Sequence, residues 1–167
     1  NLFQLSAAEP VDSAGLLPPV VSFEQLEALS GGLMMGSGCG ASRIAEHLRE
    51  GRANVAIAEA RRLQEMVGRE YFYVELHAEE DAALPRSAFV EVARAVGAPL
   101  LAVQNGQEAE ELFSAEEMYQ RFADFPEACA NTLRLAEQCD VQLPVITAED
   151  DLRPRIKLGE RSDVSEL

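Results

Sequence analysis

The stretch Tyr71-Phe72-Tyr73-Val74-Glu75-Leu76-His77 is aromatic and β-branched almost throughout and is the clearest strand in the chain. It is preceded by a region with helical spacing. Ala56, Ala60, Leu63 and Val67 recur at steps of four, three and four, which makes one buried face of a helix over 53–67. It is followed by another, about 85–97, with Phe89, Val92, Ala93 and Val96 inward and Gly97 as the stop. Pro99-Leu100-Leu101-Ala102-Val103 then reads as a short apolar strand of the buried, parallel type. Helix, strand, helix, strand in this order implies an α/β fold with a parallel sheet.

Working outward, Ser22-Phe-Glu-Gln25 has the form of a capping box and starts a helix that runs through Leu29 and ends at Gly31-Gly32. Leu33-Met34-Met35 reads as a short buried strand running into the glycine-rich turn Gly36-Ser37-Gly38-Cys39-Gly40, and a helix at 41–49 follows. Ser114-Ala-Glu-Glu117 is a second capping box, opening a helix to about 123. Asp124 is read as the cap of a longer helix, with Pro126 in its first turn, that reaches about Cys139. Residues 1–8 have the pattern of a short helix, followed by a Pro/Gly-rich connection through Pro18 and Pro19. The chain divides into a domain over 1–144 and a charged tail over 145–167. Three strands are few for a closed barrel, so the expectation is an incomplete (β/α) barrel or a small parallel sheet flanked by helices.

With 167 residues, 47% of them hydrophobic, the chain fits one domain with a real core. No apolar run approaches the ~20 residues that a bilayer span needs, and no signal-peptide pattern opens the chain, so a cytoplasmic protein is expected. The first residue is Asn1 rather than Met, which implies that something upstream has been removed. Fourteen Lys and Arg stand against 29 Asp and Glu, a net charge of −15. Such a field repels phosphate backbones and argues against direct nucleic-acid binding by this chain alone. Cys39, Cys129 and Cys139 form no CxxC. If the last two share a helix, they sit about 15 Å apart along its axis and cannot bridge, so reduced thiols are expected.

Several segments together resemble, in order, the C-terminal part of the PHP domain of bacterial DNA polymerase III alpha subunits. Gly32-Leu-Met-Met-Gly-Ser-Gly-Cys39 is similar to the family's "GLIxLSGC" turn, and Tyr73-Val74-Glu75-Leu76 to its "YLEL" strand. Ala98-Pro99-Leu100-Leu101-Ala102 resembles "PLVAT", and Ser114-Ala-Glu-Glu-Met118 resembles "SPEEM". Phe125-Pro-Glu-Ala128, Asn131-Thr132 and Ala136-Glu137-Gln138-Cys139-Asp140-Val141 follow "PEAxxNTxxIAExCDV". Asn1-Leu2 with Leu5-Ser6 fits "NLxxLxS". The resemblance covers roughly residues 1–144.

The departures bear on chemistry. The resemblance implies an Asn-Asp-x-His sequence whose Asp and His are metal ligands. Here the corresponding residues are Gln104-Asn105-Gly106-Gln107, so carboxamides stand at Asn105 and Gln107. Neutral amide oxygens are poor ligands for zinc-like metals. The family's long loop after this strand is reduced to Glu108–Phe113, and its upstream His-x-His is absent. Cys39 alone stands where the resemblance places a ligand, a vestigial one. The implied function is a non-catalytic structural or interaction module of a replication protein, with the polymerase core, another replisome component or a second copy as its protein partner. The competing expectation is a metal-dependent phosphoesterase completed by an absent segment or another chain.

Other residues carry a sharp and a bland reading. His77, at a strand end with Glu75 and Glu79 nearby, has the makings of a modest metal or general-base site, but more commonly such a histidine is a hydrogen-bonding surface group. His47 is expected to face solvent, and the acidic clusters around Glu79 and Glu108 read as solvated loop charge. Gly36-x-Gly38-x-Gly40 lacks the Lys-Ser/Thr of a P-loop, so no cofactor is expected. With the first barrel strands missing, one sheet edge and part of the core need a cover, and the strands Tyr71–Leu76 and Pro99–Val103 are the apolar elements most at risk. The segment from Asn1 to Val21, a second copy or a partner chain is expected to supply that cover. Self-association or a partner is therefore favoured over a simple monomer.

Overall fold

The computed structural model describes residues 21–38, 40–79, 83–104 and 112–139. Their elements run α1 (Phe23–Leu29), β1 (Met35–Gly36), α2 (Arg43–Arg49), α3 (Ala53–Val67), a 3-10 turn (Arg69–Tyr71), β2 (Phe72–His77), α4 (Arg86–Val96), β3 (Leu100–Val103), α5 (Ala115–Arg121) and α6 (Pro126–Gln138). The three strands are parallel and ordered β1-β2-β3, with Met35 beside Phe72 and Val74 beside Leu100. The fold is thus α/β, an open three-stranded sheet with six α-helices among the described residues.

Alternation along β2 divides its two faces. Phe72, Val74, Leu76 and Ala78 point into one core with Leu100 and Ala102, and helices supply Ile44, Ala45, Ala56, Ala60, Phe89, Val92 and Ala93. Burying Phe72 or Leu76 fully stabilises the fold by about 2–3 kcal/mol each before entropy is counted. The opposite face carries Tyr73, Glu75 and His77, with Leu101 and Val103 beside them on β3.

Local chemistry sets the helix ends. Both capping boxes form: Ser22 Oγ accepts from Gln25 N–H at 3.2 Å and Gln25 Oε1 accepts from Ser22 N–H at 2.9 Å, while Ser114 and Glu117 pair in the same way. Gly97 ends α4 at φ +68°, a left-handed cap that other residues adopt with strain. Asp124 does not cap α6. Phe125 holds that position without a side-chain bond, and Pro126 at the first helical position removes an N–H that would have needed an acceptor. β1 begins at Met35, later than Leu33, because Leu33 N–H is spent in a turn with Ser30 O at 2.9 Å.

The two longer strands, the apolar elements most at risk from an open edge, are both covered among the described residues. β2 is central and paired on both sides. The register sends the carbonyls of Leu100 and Ala102 away from β2, and α6 meets both. Asn131 Nδ2 donates to Leu100 O at 2.8 Å, and Thr132 Oγ1 to Ala102 O at 3.0 Å. The single Thr132 hydroxyl proton is shared with Ala128 O at 3.1 Å, one turn back in its own helix. Residues 1–20 and the tail over 145–167 lie outside the described residues, as do the remainders of both acidic loops.

Candidate functional site at the carboxyl edge of the sheet

In open parallel sheets, ligand sites gather outside the carboxyl ends of the strands. Here that edge holds a cavity of about 560 Å³ lined by Gly40, His77, Glu79, Leu84, Arg86 and Asp124 among others. Cys39, Asn105 and Gln107 lie outside the described residues. Their flanking residues Gly38, Gly40 and Gln104 follow the ends of β1 and β3, at this same edge.

His77 ends β2 with 19% of its side chain exposed, and its Nε2 lies 3.5 Å from Glu75 Oε2. The approach permits ionic attraction but is not aligned for a hydrogen bond. Glu75 is held from two sides. Its N–H donates to the buried Ser37 Oγ at 2.9 Å, and its carboxylate occupies the space over Gly36 where a Cβ would stand. A carboxylate beside an imidazole can orient a general base. Among the described residues, no group of three or more His, Cys, Asp or Glu side chains converges to hold a metal ion. His47 does not face solvent as expected. Packing of α2 on α3 leaves 12% of its side chain exposed, with Nδ1 4.0 Å from Glu50 Oε2.

Arg86 organises the cavity. Its Nε donates to His77 O, one terminal nitrogen to Ala78 O and the other to Arg121 O, each at 2.8 Å. The guanidinium also lies 4.6 Å from the centroid of the fully buried Phe122 ring. This fork ties the end of β2 to the end of α5. Gln104, just past β3, accepts from Phe113 N–H at 2.8 Å, and Arg121 stacks over the Phe113 ring at 3.8 Å. Donors that would face a ligand in an open site are here directed at main-chain carbonyls. Sequence reading missed Arg86, although a cation in the first turn of a helix opposes the helix dipole and therefore signals a partner. Cys129 is free and buried, which raises its pKa, and Cys139 is free and exposed.

Three curated relatives share sequence with the chain. The DNA polymerase III subunit alpha of Caulobacter vibrioides is 29% identical over 204 positions, covering all of this chain and 17% of the relative. That is a distant but extended likeness. The subunit from Treponema pallidum is 25% identical over 86% of this chain and 15% of its own length. The error-prone DNA polymerase of Symbiobacterium thermophilum is 30% identical over 87% of this chain and 16% of its own length. The chain is thus similar to these polymerases over most of its length and spans about a sixth of theirs. No protein-family model matches it. Among the described residues, no helix is long and apolar enough to cross a membrane.

Proposed function

We propose that the chain is a non-catalytic PHP-like module related to that of the replicative polymerase III alpha subunit, acting through protein contacts. The observation that carries this reading is the use of polar groups at the carboxyl edge. All three guanidinium nitrogens of Arg86 donate to main-chain carbonyls, and Gln104 anchors the segment after β3. The sequence supports it further, with carboxamides at Asn105 and Gln107 where the resemblance implies an Asp and a His, and Cys39 as a lone vestigial ligand. The net charge of −15 makes a protein a better partner than nucleic acid.

Metal analysis after purification without chelator tests the proposal. Substoichiometric metal is expected, and one equivalent of zinc or manganese per chain would overturn it. The second reading, a phosphoesterase completed by another segment or chain, draws on His77, Glu79 and Asp124 lining one cavity. It requires metal-stimulated hydrolysis of a phosphate ester or a DNA 3′ end. Asn105→Asp combined with Gln107→His is expected to give no such turnover, and turnover in that variant would favour the second reading.

A further inference from the structure

We propose that the cavity at the carboxyl edge receives an arginine side chain of a partner protein. This rests on the reading of the chain as a protein-contact module and names what that contact recognises. The cavity measures about 560 Å³, inside the roughly 300–1,000 Å³ range of ligand sites, which leaves room for one long side chain and its flanking backbone.

Its unspent charge is one-sided. Arg86 is the one Arg or Lys among the described lining residues, and its three nitrogens donate to the carbonyls of His77, Ala78 and Arg121. His77 keeps its Nε2 3.5 Å from Glu75 Oε2, so a positive charge there already faces a carboxylate. Two further carboxylates, Glu79 and Asp124, stand on the wall. Asp124 is exposed, caps no helix and makes no hydrogen bond or ion pair with a described residue. A carboxylate accepts several donors at once, so contacts that Glu79 makes within the fold leave room for another.

The remaining wall is aromatic. Phe89 and Phe125 line the same cavity. A guanidinium is planar and weakly hydrated, stacks on aromatic faces and forks onto carboxylates, whereas a lysine ammonium holds its water. The fold uses this pairing next to the cavity, where Arg86 lies over the Phe122 ring and Arg121 over the Phe113 ring. A net charge of −15 draws a basic partner segment towards the site.

NMR titration of the full chain with a capped Gly-Arg-Gly peptide tests the fit. Saturating shifts of the Glu79, Phe89 and Phe125 amides are expected within about 10 mM peptide. The citrulline peptide of the same shape, which lacks the charge, should leave them in place. Asp124→Asn with Glu79→Gln should weaken binding at least about tenfold while the Leu76 amide keeps its position and so reports an intact sheet. Should the double variant unfold, Asp124→Asn alone makes the comparison, since that side chain is exposed and caps no helix. Absent saturation, equal binding of the citrulline peptide or undiminished binding by the variant overturns the proposal. Tighter binding of free arginine than of the peptide assigns the cavity to a small molecule and overturns it too. Stoichiometric metal would end the non-catalytic reading, whereas a metal-free chain that ignores the arginine peptide loses this contact alone.

Discussion

Along β3, the outward carbonyls of Leu100 and Ala102 receive hydrogen bonds from Asn131 and Thr132, whereas along β1 the outward groups of Met34 and Gly36 meet nothing among the described residues. Both edges belong to one three-stranded sheet, yet among the described residues only the β3 edge is finished. At β3 a helix ends the sheet by presenting two polar side chains at the spacing of alternate carbonyls, and this helps to deny the edge to another strand. At β1 no described side chain does the same. A barrel is therefore not the only way for such a sheet to stop.

Removing the side chains that finish β3 should have the largest effect. Asn131→Leu with Thr132→Val leaves two buried carbonyls without donors and should cost about 2–4 kcal/mol in urea unfolding. The same variant should self-associate in light scattering, more strongly as salt screens the −15 charge. Unchanged stability would mean that the β3 edge does not depend on α6. Arg86→Met comes next, at about 2 kcal/mol, since three charge-assisted bonds are lost from the carboxyl edge. On the β1 side, Gly36→Ala displaces the flexible end of Glu75 and should cost about 1 kcal/mol. A larger cost than that of Arg86→Met would mean that the two sides of the sheet do not differ in this way.

The smallest effect lies beyond β3, at the cap of α5. Hydrogen bonds from Ser114 hold the Glu117 carboxyl below its ordinary pKa. A depressed folded-state pKa contributes stability above the unfolded value and loses it as pH falls through the folded one. Glu117→Gln should therefore flatten the stability curve only on its acid limb, below the usual carboxylate range. A change confined to neutral pH would point to another cause.

The α/β class, both capping boxes and the bounds of α3 were legible because each rests on a local signal, either periodicity or a pair of residues three apart. Two short-range readings failed for local reasons. Asp124 was displaced as a cap by Pro126 at the first helical position, and β1 starts late because Leu33 is held in a turn. The edge-finishing role of Asn131 and Thr132 was not legible, since their acceptors lie 31 and 30 residues away in sequence. The sign that something was required of them is their place mid-helix, where neither is a strong helix former. At the candidate site, His77 and Glu79 were seen as neighbours, but the dominance of Arg86 depends on carbonyls from two separate elements.

The Arg86 fork is addressed to peptide oxygens at positions 77, 78 and 121, so it does not read the side chains there. Substitution at His77, which lines the cavity, can alter its chemistry while the clasp persists, provided the backbone keeps its path. Arg86 itself has no such latitude, because lysine offers a point charge in place of a planar fork. A library varied at His77 with Arg86 held fixed would thus sample new cavity linings on a largely unchanged frame.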